Sequence, residues 1–114
     1  MVVDDLTDAE VDRLFHALAD ATRRDIVRTV LTTELSVSEL GRRYPMSLTA
    51  VQKHVGVLAD AGLVVKRREG REQRVVGRVE AVRRAARLLD AYEEIWRGRV
   101  DRMSRLLDED GARG

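Results

Sequence analysis

The chain has 114 residues and a formal net charge of +1, a length suited to one domain that buries only about two-thirds of its unfolded surface. It contains no cysteine, which excludes disulfides and thiolate metal sites. Its apolar runs fall far short of the roughly 20 residues that span a bilayer, and Met1-Val2-Val3-Asp4-Asp5 lacks a secretion-signal pattern, so a cytoplasmic protein without a membrane partner is expected.

Thr7-Asp8-Ala9-Glu10 has the form of a capping box, with Val11, Leu14, Phe15 and Leu18 at helical spacing behind it. Ala19-Asp20-Ala21-Thr22 interrupts that pattern, and Asp20 or Thr22 can cap a second helix. Its apolar face is Ile26, Val27, Val30 and Leu31, and Thr32-Thr33 marks its end. Ser36-Val37-Ser38-Glu39 is a further capping box and starts a short helix through about Arg43. Pro45 disfavours helix at Tyr44, so Tyr44-Pro45-Met46 reads as a turn. Ser47 then caps a helix to about Asp60, and Gly62 stands where a glycine C-cap belongs. Strand-like runs follow at residues 63–68 and 73–78, joined by a hairpin turn at Glu69-Gly70-Arg71-Glu72. Residues 79–108 are helical in pattern, with Arg87-Leu88-Leu89 as the place where a break is expected, and Glu109 to Gly114 reads as a frayed tail.

This order makes the fold mostly α with a small β-hairpin: a winged helix-turn-helix with a long terminal helix. One domain is expected over residues 1–114. Residues 36–62 would form the helix-turn-helix, 63–78 the wing hairpin and 79–108 a C-terminal dimerisation helix.

Charge is unevenly spread. Residues 1–35 carry four Arg against eight acids, residues 36–79 nine Lys/Arg against four acids, and residues 80–114 eight of each. A basic middle third on a chain of modest overall charge suits a polyanion. In the helix after the turn, Val51, Val55 and Leu58 form one stripe, facing inward. Leu48, Gln52 and Gly56 form a second, with Thr49 and Lys53 beside it. Such a face suits a recognition helix in a DNA major groove. Thr49 can meet a thymine methyl or a base edge, the Gln52 amide matches adenine, and Lys53 can reach guanine or phosphate. Ser47 can hold a phosphate with the free amides of the helix start. Arg42 and Arg43 belong to the same basic segment, and Arg67, Arg68, Arg71 and Arg74 on the hairpin can straddle the backbone. Arg68 and Arg71, at the tip, are the favoured phosphate contacts.

Two stretches together resemble the ArsR/SmtB family of bacterial winged-helix repressors. One is Leu18-Ala19-Asp20-Ala21-Thr22-Arg23-Arg24-Asp25-Ile26-Val27. The other runs from Glu39-Leu40-Gly41 through Ser47-Leu48-Thr49-Ala50-Val51-Gln52-Lys53-His54-Val55 to Gly62-Leu63-Val64. The resemblance covers roughly residues 12–108 and implies a homodimer that represses from an inverted-repeat operator on double-stranded DNA. Gln52 stands where the family often has Ser, and Gly56 where it often has Lys, so operator sequence does not carry over. The family's Cys-x-Cys metal pair falls on Ser36 and Ser38, and its terminal-helix site has no His here. Neutral hydroxyls are poor ligands for soft metals, so no metal or other cofactor is expected. His16 and His54 are read as packing or hydrogen-bonding residues. A small-molecule effector is compatible with this pattern, and nothing in the sequence identifies one.

In the last helix Leu89, Tyr92, Trp96, Met103 and Leu106 form a seam interrupted at Arg99, widened by Leu88, Ile95, Val100 and Leu107. So apolar a helix must bury against something beyond its own domain. The resemblance pairs it with the first helix of each subunit, placing Phe15, Leu89, Tyr92, Trp96, Val100, Met103 and Leu106 in the dimer interface. No nucleophile, base and orienter fall in a readable motif, so an enzyme is not expected. The alternatives are a winged-helix module that binds protein rather than DNA, and an RNA binder. The cationic recognition face and wing favour nucleic acid, and the absence of aromatics from the basic segment's hairpin and recognition helix disfavours RNA.

Overall fold

The computed structural model describes residues 6–113, with side chains to residue 109. Met1–Asp5 and Gly114, including the N-terminal stretch read above and the end of the tail, lie outside the described residues. The elements are α1 (Asp8–Leu18), α2 (Ala21–Val30), β1 (Leu35–Ser36), α3 (Val37–Gly41), α4 (Leu48–Asp60), β2 (Val64–Glu69), β3 (Glu72–Gly77) and α5 (Val79–Arg113).

Each of the first four helices starts on an oxygen that accepts from a free backbone amide. Thr7 and Ser36 form the two capping boxes, with Glu10 and Glu39 reaching back to the cap. Asp20, rather than Thr22, caps α2, and Ser47 caps α4 through the Ala50 amide at 3.1 Å. Gly62 ends α4 at φ 77°, and Gly70 takes φ 61° in the hairpin turn, a region that favours glycine at both places.

The core is built from the inward faces of α1 to α4 and the sheet. Leu14, Ile26, Leu40, Val51, Leu58, Leu63 and Val75 are buried within it. The sheet has three antiparallel strands in the order β1-β3-β2. β1 is two residues long and carries no alternating pattern of its own. It exists because Leu35 and Ser36 pair with Val75 and Arg74. Gly77 ends β3 where a Cβ would stand 2.9 Å from the Val30 carbonyl oxygen, so the strand lies hard against the end of α2.

Helix α5 corrects two expectations. It runs unbroken through Arg87-Leu88-Leu89, and it continues past Glu109 to Arg113 instead of fraying. Arg87 reaches back to Glu80, and Glu93 and Arg97 form an ion pair one turn apart, so the polar sides of the helix support its own continuation. At 1.5 Å per residue its 35 residues extend about 52 Å. Only the start of α5, through Ala81, Val82 and Ala85, joins the core. The chain therefore has a radius of gyration of 20.4 Å, where a compact domain of this length has about 13 Å.

Candidate nucleic-acid interface

Helix α4 divides as its two stripes require. Val51, Val55 and Leu58 are buried against α1, α2 and the sheet, while Ser47, Leu48, Thr49, Gln52 and Lys53 are exposed. Leu48 also has a packing role: a Cβ on Gly41 would lie 2.9 Å from its Cδ1, so the Leu48 side chain rests over Gly41 and would shift if residue 41 were larger. At Gly56 a Cβ would meet nothing within 4 Å, and no neighbour in this chain requires glycine there.

The turn before α4 is tied to α2. The Tyr44 hydroxyl donates to Asp25 Oδ2 at 2.7 Å, and Asp25 also takes an ion pair from Arg28. Burial pushes the Tyr44 phenol up to about 12, with the Asp25 hydrogen bond adding to the shift. The Arg28 guanidinium, and then the Tyr44 hydroxyl, hold the Asp25 carboxyl below its ordinary value. Ser36 is fully buried and its hydroxyl accepts from the Glu39 amide, while Ser38 is exposed. Among the described residues no group of three His, Cys, Asp or Glu side chains converges as a ligand set.

The corner between α1 and α2 explains the Asp-x-Thr-Arg-Arg run. Arg23 donates from Nε to the Ala17 carbonyl at 2.8 Å and from Nη2 to the His16 carbonyl at 2.9 Å. Arg24 donates to the Leu18 carbonyl at 2.8 Å. The Ala17 and Leu18 carbonyls thereby gain partners at the end of α1, and the His16 carbonyl, which already accepts from the Ala19 amide, gains a second donor. Arg23 Nη1 also lies 3.4 Å from His54 Nδ1, so the α4 histidine sits in a structural contact. The Arg23 amide, the leading influence, holds the Asp20 carboxyl below its ordinary value.

The hairpin has two unlike faces. By strand alternation Lys66 and Arg68 share the side of buried Val64, and Arg71 stands in the turn. On the other side Arg67 and Arg74 oppose each other across β2 and β3, and both are engaged by carboxylates of the same chain. The sequence groups all four hairpin arginines as DNA contacts; the structure separates Arg67 and Arg74 from Arg68 and Arg71. Among the described residues Arg42, Arg43, Lys53, Lys66, Arg68 and Arg71 form no ion pair. The partners Glu34 and Glu39 escaped sequence reasoning because they lie far from the wing in the chain, and the two-residue strand that brings them there has no pattern.

Of the seven residues expected in a dimer interface, six lie on α5 and are exposed: Leu89, Tyr92, Trp96, Val100, Met103 and Leu106. Phe15 is different, being half-buried against its own core. No helix among the described residues is long and apolar enough to cross a membrane.

A family model described as a helix-turn-helix domain matches residues 18–67, from the α1–α2 corner to the middle of β2. The chain is 37% identical over 100 residues to the HTH-type transcriptional regulator Rv2034 of Mycobacterium tuberculosis, covering 88% of this chain and 91% of that one. Among solved structures, an ArsR-like transcriptional regulator from Rhodococcus sp. RHA1 superposes with a TM-score of 0.80 at 31% identity, over 89% of this chain and 93% of that one. A homodimeric winged helix-turn-helix DNA-binding domain from Mycobacterium bovis, a possible ArsR-family regulator, gives 0.62 at 26% identity, over 82% and 92%. The fold, the capped helix pair and the match across nearly the whole chain agree, and this protein belongs to the ArsR-type transcriptional regulators, with a helix-turn-helix DNA-binding domain.

Proposed function

We propose that the chain acts as a homodimeric repressor on an inverted-repeat operator, one winged-helix domain per subunit. In this reading residues 36–62 present α4 to the major groove, residues 63–78 form the wing and residues 79–108 dimerise. The observation that carries the DNA-binding part is the outer face of α4. Thr49, Gln52 and Lys53 stand exposed on the side opposite buried Val51, Val55 and Leu58, flanked by cations that form no ion pair among the described residues. Gln52 reads a base edge, Ser47, Arg42 and Arg43 hold phosphates beside it, and Arg68 and Arg71 hold the backbone at the wing tip.

The dimer reading is supported by α5. Ala85, Leu89, Tyr92, Trp96, Val100, Met103 and Leu107 follow one another at spacings of four, three, four, four, three and four, the same from either end. At 100° per residue they stay within about 40° of Trp96. From Leu89 onward this stripe is exposed, more apolar surface than a monomer ordinarily leaves in water. Residues 88–96 hold Asp90, Glu93 and Glu94 and no base; residues 97–105 hold four arginines and one acid. A stripe that is its own mirror about Trp96, acidic before it and basic after it, fits a second copy running antiparallel. The homodimeric state of the Mycobacterium bovis domain agrees with this.

The chain has no native cysteine, so the test is clean. Leu89→Cys and Met103→Cys chains are mixed and oxidised. A disulfide joining the two different chains is expected. Disulfides only between like chains would mean parallel pairing, and no cross-link, with a monomeric mass by light scattering, would refute the dimer.

A further inference from the structure

Four carboxylates close around the two arginines on the outer side of the wing. Arg67 donates to Glu34 at 2.9 Å and lies 3.7 Å from Glu69. Arg74 lies 3.4 Å from Glu69, 3.8 Å from Glu39 and 3.9 Å from Glu72. Arg67 and Arg74 stand directly opposite across the ladder, where like charges repel. The acids offset that repulsion and outnumber the arginines.

Two of these acids come from outside the hairpin. Glu34 precedes β1, and Glu39 is in the first turn of α3, where its carboxylate also accepts from the Ser36 amide at 3.1 Å. The cage therefore joins the wing to the first helix of the helix-turn-helix. A guanidinium that bridges carboxylates does not offer the same fork to a phosphate. A face with more carboxylates than cations is repelled by the phosphate backbone. On the opposite side and at the tip, Lys66, Arg68 and Arg71 carry no such partners.

We infer that Arg67 and Arg74 are positioning residues: with Glu34, Glu39, Glu69 and Glu72 they fix the wing against the helix-turn-helix and turn an acidic face away from DNA, leaving phosphate contact to Lys66, Arg68 and Arg71. This rests on the DNA-binding reading above.

The test exchanges the signs of one pair. Arg67→Glu alone sets a carboxylate among carboxylates, and operator affinity should fall by about tenfold. Adding Glu34→Arg re-forms the pair at the parent net charge, and affinity should return to within about threefold of the parent. If the double variant stays as weak as the single one, Arg67 touches phosphate and the inference is overturned. Parent-like binding by Arg67→Glu alone overturns it too. Milder variants give a second readout: Arg67→Gln should leave the slope of log affinity against log salt unchanged, while Arg68→Gln should reduce it by about 0.9. The opposite order would sink the assignment. If the parent chain itself bound no DNA, the functional reading would fail, and the cage would be judged by melting temperature. That temperature should be lowered by Arg67→Glu and restored in the double variant; unchanged values would remove the cage as well.

Discussion

Gly56→Ala separates folding from DNA reading at one atom. Glycine inside a helix is about 1 kcal/mol less favourable than alanine. At this position the added methyl would meet nothing within 4 Å, so the full gain should appear as stability. For a domain of this size that is a rise in melting temperature of roughly 4 °C. Gly56 also follows Leu48 and Gln52 on the stripe proposed to face the major groove. A methyl added where a helix backbone lies close to DNA acts like overpacking, about 1–3 kcal/mol, so operator affinity should fall by about tenfold while the free protein melts later. Scanning calorimetry and operator titration of the same preparation read the two effects. Gly77→Ala is the control, since its Cβ would stand 2.9 Å from the Val30 carbonyl oxygen and 3.0 Å from Leu31; that variant should melt earlier. A lower melting temperature for Gly56→Ala would refute the open-space argument. A higher one with unchanged operator affinity would show that the groove-facing stripe ends before residue 56.

Gln52→Ala should weaken operator binding by about 1–3 kcal/mol, leave random DNA nearly unchanged and keep the salt slope, whereas Arg71→Ala should weaken both DNAs and flatten the slope by about 0.9; equal losses on both DNAs for Gln52→Ala would displace the recognition face. Stability should also depend on pH at both ends. The Tyr44 phenol is raised from 10.0 to about 12 in the fold, so its contribution is whole below pH 10 and lost as pH rises through about 12, and Tyr44→Phe should abolish that alkaline loss. Asp20, Asp25 and Glu39 are lowered from 3.8, 3.8 and 4.5, so their contribution is whole above about pH 5 and lost as pH falls through their folded values; chemical denaturation across pH checks both limbs.

The helices were legible because their signals are local. Capping boxes at Thr7 and Ser36, the cap at Ser47 and the glycine at position 62 lie within one turn of what they define. The inward stripe of α4 was equally plain, since periodicity and burial coincide at Val51, Val55 and Leu58. Strand β1 was not legible, because two residues carry no period and Leu35 and Ser36 are extended only by pairing with β3. The expected break at Arg87-Leu88-Leu89 fails for a related reason. Two adjacent leucines disturb a simple seam, yet neither breaks a helix, and no Gly or Pro stands there. Phe15 lay on an apolar face that the sequence cannot divide between own core and partner; in the fold it is half-buried against its own core.

The candidate site shows the same limit more sharply. Counting cations located the basic hairpin, and its turn favoured Arg68 and Arg71 at the tip, but nothing in the count showed that Arg67 and Arg74 are held by carboxylates. What separates the two pairs is strand alternation together with two acids delivered by the chain around β1, and a count of charge sees neither. The family-like motif carries a parallel lesson. Arg23 enters the sequence reading only as a member of that motif; in the fold it donates to carbonyls at the end of α1 and reaches His54 on α4. The Asp20-to-Arg24 run of the first motif thus helps hold α4 against the first two helices. The residues proposed to choose its operator, Thr49, Gln52 and Lys53, lie on the outer face of α4. This division follows from the demands on each set. A carbonyl end must be satisfied in every protein of this fold, whereas an exposed groove face is free to change with the DNA it reads.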